Sequence, residues 1–178
     1  MHPEQSPEPH SLLPCLDPLT GLPHPPPLPF TAPWRYELHF PRDPRGPGVA
    51  RVTLRAVLDA HGLGELTDRA ELLTCELATN SVRHTTGPAS VRLQWLHPVL
   101  RVSVRDNCPD LPGVPGVRPT PAQPHADGGR GLLILDALAD RWGGCATPAR
   151  PLDGAHGKAI WFELRLGQPE PEPPALAA

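Results

Sequence analysis

The distribution of proline most constrains what this chain can fold into. Fourteen of the 28 prolines precede Gly48, six lie within residues 109–127, and only Pro88 and Pro98 fall between Gly48 and Cys108. Because proline fixes φ and lacks an amide donor, the proline-rich stretches resist helix and sheet. We therefore predict one folded domain at 30–167, mostly disordered tails at 1–29 and 168–178, and a long loop at 107–127 of the kind that is usually either a functional lid or disordered.

The charge and the cysteines argue against several classes of function. The formal net charge is −3 and no block of like charges occurs, whereas nucleic-acid binding normally needs a basic patch. No apolar run approaches the ~20 residues of a membrane span, and residues 1–5 lack signal-peptide features. The four cysteines have no CxxC spacing and the nine histidines are scattered, so no zinc site is indicated. We expect a cytoplasmic protein with no direct contact to nucleic acid or membrane.

Hydrophobic periodicity predicts the element order β-α-α-β-β-α-β-β. The predicted strands are 34–40, 90–96, 99–106, 142–147 and 158–166, and the predicted helices are 48–61, 67–84 and 130–139. Thr67 is expected to cap the second helix. This order predicts an α/β (α+β) two-layer sandwich, in which helices cover one face of a mixed, mostly antiparallel sheet.

Two polar residues interrupt the leucines of the second predicted helix. Glu76 and Asn80 lie four residues apart, hence on one face, between Leu72 on one side and Leu73 and Leu77 on the other. A carboxylate on a buried face needs compensation, and hard oxygen ligands of this kind suit Mg²⁺. The alternative is an ion pair between Glu76 and an arginine such as Arg83 or Arg105.

A third polar residue, Asp106, ends a predicted strand and shares a face with Val102 and Val104. In that position it can accept a hydrogen bond from an adenine amino group. The alternative is an ordinary turn residue, because Asp106 and Asn107 precede Cys108 and Pro109.

The run Gly128-Gly129-Arg130-Gly131 precedes an apolar helix that begins with Leu132. Glycines let the backbone approach a ligand, and a helix N-terminus attracts phosphate, to which Arg130 would add positive charge. The alternative is a flexible loop before a helix. The run is neither a Walker A motif nor a dinucleotide-binding fingerprint.

Four stretches together resemble the histidine-kinase-like (GHKL, Bergerat-fold) ATPase superfamily. They are Glu76-Leu77-Ala78-Thr79-Asn80-Ser81-Val82-Arg83-His84, Val104-Arg105-Asp106-Asn107, Gly128-Gly129-Arg130-Gly131-Leu132 and Gly157-Lys158-Ala159-Ile160-Trp161-Phe162-Glu163-Leu164. Within this superfamily the chain looks like the anti-sigma-factor serine/threonine kinases. The resemblance covers about 34–166.

The resemblance implies a site for ATP and Mg²⁺. Glu76 would be the general base, Asn80 the Mg²⁺ ligand, and Asp106 the residue that reads adenine. The other implied nucleotide-binding residues are Arg83, Gly128, Gly129, Arg130, Gly131 and Leu132. The implied partners are an anti-anti-sigma (STAS-like) protein, which receives phosphate on serine or threonine, and a sigma factor that the kinase silences; a homodimer is a further implied assembly.

Three positions depart from the family's pattern. Cys108 and Asp110 stand where the family's second motif usually has glycines, and Ala159 stands where a threonine often contacts adenine through water. These departures leave a second interpretation open, in which the chain is a catalytically weak or inactive ATP-binding module that acts through protein contacts.

Overall fold

Five strands form a single sheet in the computed structural model, which describes residues 25–108, 130–148 and 156–167. The strands and helices follow the predicted order: β1 (Trp34–Phe40), α1 (Gly46–Ala60), α2 (Thr67–His84), β2 (Ala89–Leu96), β3 (Val99–Asp106), α3 (Arg130–Leu138), β4 (Arg141–Thr147) and β5 (Gly157–Arg165). A short 3₁₀ turn at Gly64–Leu66 leads directly into α2.

The order of strands across the sheet is β1-β2-β3-β5-β4, and each neighbouring pair is antiparallel. His97 and Pro98 form the tight turn between β2 and β3, with Leu96 opposite Val99. The last strand, β5, inserts between β3 and β4, and this pairing brings Lys158 opposite Asp106. The two-layer fold class is confirmed, with a sheet that is antiparallel throughout rather than mixed.

One face of the sheet forms the core because side chains alternate along each strand. The inward residues on the central strands are Val91, Leu93, Trp95, Leu100, Val102, Val104, Ile160, Phe162 and Leu164, each 5% exposed or less. Leu73 and Leu77 of α2 are buried against this face, and α1 packs on α2 through Leu54 and Leu58. The arrangement leaves the opposite face of the sheet uncovered by the helices.

The helix boundaries follow from local chemistry. Pro47 lies in the first turn of α1, where its missing amide costs no hydrogen bond, so the helix begins two residues before the predicted start. Gly62 adopts a φ of +71°, a left-handed conformation suited to glycine, just after α1 ends. The predicted cap at Thr67 is wrong: Leu66 is the N-cap residue, and Thr67 is buried in the first turn of α2.

An ion pair joins α1 to α2 on the outer side of the helical layer. The Arg55 guanidinium contacts the Glu71 carboxylate through two 2.7 Å hydrogen bonds. The Arg55 hydrogen bond holds the pKa of Glu71 below its ordinary value of 4.5.

Parts of the predicted domain plan lie outside the described residues. These are the first 24 residues of the predicted tail at 1–29, the tail at 168–178, and the predicted lid apart from Asn107 and Cys108. Among the helices that the structure describes, none is long and apolar enough to cross a membrane.

Candidate nucleotide-binding site

The C-terminal half of α2 presents Glu76 and Asn80 to the first turn of α3. A Cβ built on Gly131 would lie 2.8 Å from Asn80 Nδ2 and 3.9 Å from Glu76 Oε2. Gly131 is buried, and Glu76 and Asn80 are half-buried. The absence of a side chain at Gly131 therefore lets the α3 backbone approach both polar groups, and two of the three predicted motifs meet at this point.

The leucines beside these residues do not all face the core. Leu73 and Leu77 are buried, whereas Leu72 is 44% exposed. The expectation that leucines enclose Glu76 and Asn80 on both sides is thus wrong for Leu72. The two polar residues lie at the edge of the buried face, where a ligand can reach them.

The alternative partners for Glu76 are arginines, and the structure separates them from it. Arg105 lies on the uncovered face of the sheet, where its Nη2 donates to the Pro148 carbonyl at 3.0 Å. Arg83 is exposed, and within residues 25–108, 130–148 and 156–167 no ion pair involves Glu76. The Glu76 carboxylate is therefore not neutralised by either arginine.

The carboxylate of Asp106 is buried at the end of β3, with 4% of the residue exposed. Ser81 Oγ donates to Asp106 Oδ2 at 3.0 Å, and the Cys108 amide donates to Oδ1 at 2.9 Å. Lys158 Nζ lies 3.2 Å from Asp106 Oδ1. An ionised carboxylate offers about four acceptor positions. These three donors therefore leave about one acceptor position for a hydrogen bond from a ligand.

Ser81 connects the two halves of the site, because it follows Asn80 directly and contacts Asp106. Its hydroxyl also lies 3.0 Å from the Leu77 carbonyl, which anchors it within α2. Asp106 is thus tied to the same turn of α2 that carries Asn80.

Lys158 and Ser81 are parts of the site that the sequence alone did not identify. The signal for Lys158 was the Gly157-Lys158 pair at the start of β5, which becomes informative once β5 is aligned with β3. Gly157 approaches β3 so closely that a Cβ there would overlap the Asp106 carbonyl oxygen. Ala159 pairs with Arg105 and lies on the other face of the sheet, so a side chain at 159 would not face Asp106. The expected loss of a water-mediated adenine contact through Ala159 stays a prediction, and any such contact would not involve Asp106 directly.

Arg83 lines a cavity of about 570 Å³ with Arg42, Pro44, Pro47, Thr79 and Val82, between α2 and the start of α1. Gly128 and Gly129 lie outside the described residues, and Arg130 and Leu132 belong to the first turn of α3.

The position of α3 depends on a buried arginine of α2. Arg69, 6% exposed, donates to the Leu138 carbonyl at the end of α3 from Nε at 3.1 Å and from Nη2 at 2.5 Å. The same Nη2 lies 2.9 Å from Asp140 Oδ1. A cation at a helix C-terminus is favourable, because the helix dipole is negative there. Arg69 therefore holds α3, and with it Gly131, against α2.

Residues 40–147, from the end of β1 to the end of β4, match the family model described as the histidine kinase-like ATPase domain. This protein belongs to the histidine kinase-like ATPase family. The matched segment contains Glu76, Asn80, Asp106 and Gly131, and it extends over more than half of the chain. No curated protein matches the sequence.

The residues of this histidine kinase-like ATPase domain fit the ligand that the family implies, ATP, with Mg²⁺ as its typical ion. The Asn80 amide and the Glu76 carboxylate supply hard oxygen atoms beside a cradle that a Cβ at Gly131 would fill. The described parts of the chain contain no cluster of three or more His, Cys, Asp or Glu residues suited to a metal. Mg²⁺ takes one or two protein ligands and completes its shell with water and phosphate oxygens, so the oxygens of Asn80 and Glu76 would be enough to hold it.

Proposed function

We propose that this protein is an ATP-binding regulatory serine/threonine kinase of the anti-sigma-factor type. Its substrate would be a serine or threonine of an anti-anti-sigma-like protein, and the kinase would also sequester a sigma factor. The observation that carries the proposal is the convergence of Glu76 and Asn80 on the Gly131 backbone. Membership of the family supports ATP binding, and the resemblance of the motifs supports the kinase type.

The chain's own groups divide the work of binding. Asn80 would hold Mg²⁺, which when bound neutralises charge on the phosphate oxygens. The free amides at the start of α3 would hold phosphate at Gly131. Asp106 would accept a hydrogen bond from the adenine amino group with its remaining acceptor position.

Glu76 would act as the general base in phosphoryl transfer. The acceptor hydroxyl forms a bond to the γ-phosphorus, the bond to the bridging oxygen breaks, and ADP leaves with that oxygen. The hydroxyl proton passes to the Glu76 carboxylate. Glu76 is suited to this role because neither Arg83 nor Arg105 neutralises it and it is half-buried beside Gly131.

A second candidate function is an ATP-binding module without phosphoryl transfer. One observation favours it: the Cys108 amide already donates to Asp106 and so occupies one acceptor position of that carboxylate. Cys108 itself stands where the family's second motif usually has glycine. Lys158 takes another position on the same carboxylate oxygen. Fewer acceptor positions for adenine would weaken or alter nucleotide recognition.

The binding step is tested by isothermal titration calorimetry with Mg²⁺-ATP. We expect Asn80→Ala to lose Mg²⁺-ATP binding while its thermal unfolding stays close to that of the wild type. Gln94→Ala is the matched control, because it removes a half-buried amide from the uncovered face of the sheet. Unchanged ATP affinity in Asn80→Ala would refute the site.

The two candidate functions separate in a transfer assay. Purified anti-anti-sigma proteins from the same genome would be incubated with the kinase and γ-labelled ATP. We expect label on the partner with wild type, and with Glu76→Gln we expect retained ATP binding and no label. ATP binding by wild type with no transfer to any of these partners would support the binding module.

A further inference from the structure

The uncovered face of the sheet is rich in arginine. Outward positions alternate with the core positions on every strand, and the pairing register aligns them across the sheet. We call this surface the open face; its charged residues are Arg35, Glu37, Arg92, Arg101, Arg105, Arg141, Glu163 and Arg165. The sequence contains no basic run because these arginines are distributed over all five strands.

The open face carries an excess of positive charge. Its six arginines exceed its two glutamates by four formal charges, whereas the whole chain carries −3. An excess of positive charge on one surface favours a negatively charged partner.

Two contacts within the open face show how it receives carboxylates. Arg92 donates to Glu37 Oε2 from Nε at 3.1 Å and Nη2 at 3.0 Å. Arg101 donates to Glu163 Oε1 from Nε at 2.9 Å, with Nη2 at 2.7 Å. The guanidinium of Arg101 also lies 4.1 Å from the ring centre of Trp161, which fixes its orientation.

Three other arginines of the open face have no carboxylate partner within the described residues. Arg35 and Arg165 are exposed and form no ion pair there, and Arg105 donates only to the Pro148 carbonyl. They lie on β1, β5 and β3, so their positive charge extends across the sheet.

We propose that the open face is a docking surface for an acidic segment of another protein. Carboxylates, rather than a nucleic-acid backbone, fit for two reasons. The open face already holds two carboxylates, those of Glu37 and Glu163, each between two nitrogens of one arginine. Arg101 also covers one face of Trp161, which reduces the aromatic surface for base stacking.

The open face and the nucleotide site lie on opposite sides of the sheet. Asp106 points toward α2, whereas Arg105 points away from it. A segment docked on the open face therefore leaves the nucleotide site uncovered, and this partner differs from the substrate that must present a hydroxyl to Glu76. The inference goes beyond the proposed function and does not depend on it.

Fluorescence anisotropy with labelled peptides tests the proposal. The probes are a glutamate-rich peptide, the same peptide with glutamine in place of glutamate, and an oligothymidylate of equal length. We expect the wild type to bind the glutamate peptide most tightly, with an affinity that falls as salt rises. Tighter binding of the oligothymidylate, or equal binding of the two peptides, overturns the proposal.

Two triple variants with the same change in charge locate the binding surface. Arg35→Gln/Arg105→Gln/Arg165→Gln should weaken binding of the glutamate peptide roughly tenfold or more. The control, Arg42→Gln/Arg45→Gln/Arg51→Gln, removes exposed arginines on the helical side and should bind as the wild type does. Equal losses in both variants overturn the proposal. If the first variant fails to fold, the double variant Arg35→Gln/Arg165→Gln replaces it, because neither side chain forms an ion pair within the described residues.

Two further measurements distinguish the other outcomes. Sedimentation of wild type that shows self-association, abolished by the open-face substitutions, would assign the face to a second copy of this chain and overturn the proposal. Peptide affinity is also measured with and without Mg²⁺-ATP, and we expect no difference. Peptide binding by a protein that fails to bind ATP would refute the proposed function and leave this inference intact.

Discussion

Adding one methyl group at Gly131 tests the geometry of the nucleotide site directly. In Gly131→Ala the new Cβ would lie 2.8 Å from Asn80 Nδ2, whereas ordinary van der Waals contact begins at 3.4 Å. The amide must therefore retreat by the difference, about 0.6 Å. The Glu76 carboxylate, at 3.9 Å from the new Cβ, need not move.

Gly131→Ala should weaken Mg²⁺-ATP binding but leave the stability of the fold nearly unchanged. The displaced atom is the end of a side chain, and alanine favours a helix over glycine by up to ~1 kcal/mol. We therefore expect the melting temperature of Gly131→Ala to stay close to that of the wild type. Displacing a group in a site by ~1 Å can cost about 10²-fold, so we expect Mg²⁺-ATP to bind roughly tenfold or more weakly.

Calorimetry with Mg²⁺-ATP and thermal unfolding provide the two readouts. Gly48→Ala is the matched control, because it adds the same methyl group to α1 where no atom lies within 4 Å. We expect this control to bind ATP as the wild type does. If Gly131→Ala bound Mg²⁺-ATP with wild-type affinity, the reasoning that ties Asn80 to the ligand would be refuted.

Three further predictions concern stability, each measured by thermal or denaturant unfolding. Arg69→Met should destabilise the fold by about 1–3 kcal/mol, because the side chain is 7% exposed and its loss removes donors to the Leu138 carbonyl and to the Asp140 carboxylate, which is 26% exposed; a loss below about 0.5 kcal/mol would contradict this. Lys158→Met should cost about 3–5 kcal/mol by leaving the Asp106 carboxylate, 5% exposed, without its cation, and adding Asp106→Asn should restore part of the loss. Glu71→Gln should cost about 0.5–1 kcal/mol near neutral pH, since Arg55 is 50% exposed and solvent screens the pair. Because Arg55 lowers the pKa of Glu71, that difference should persist above pH 4.5 and vanish as the pH falls through the folded-state pKa; a difference independent of pH would count against the ion pair.

Local sequence patterns predicted most of the fold. The bounds of β1 and β3 agree with the prediction, because alternation along a single strand is a local signal. The cap at Thr67 failed because α2 continues directly from the 3₁₀ turn Gly64–Leu66, which places Leu66 at the N-cap and Thr67 within the first helical turn. Tyr36 shares a face with the buried Trp34 yet is 45% exposed, since its hydroxyl lies 3.0 Å from His61 Nε2 at the edge of the core.

The site was predictable where residues are close in sequence or carry a motif. Glu76 and Asn80 share a helix face, and the glycine run indicated a close approach that the structure has at Gly131. The pairing of Lys158 with Asp106 could not be predicted, because it depends on the register between two strands about fifty residues apart. For the same reason, the clustering of arginines on the open face could not be predicted, because it depends on the register of all five strands.

The close approach of Gly157 to β3 gives a condition that can be checked in the sequences of relatives. Any residue larger than glycine there would push β5 away from the end of β3 and separate the lysine at the next position from the buried aspartate. A homologue with a bulky residue at this position must therefore neutralise that aspartate by another route or replace it. Alignments of homologues can thus test whether the residues equivalent to Gly157, Lys158 and Asp106 are kept together or lost together.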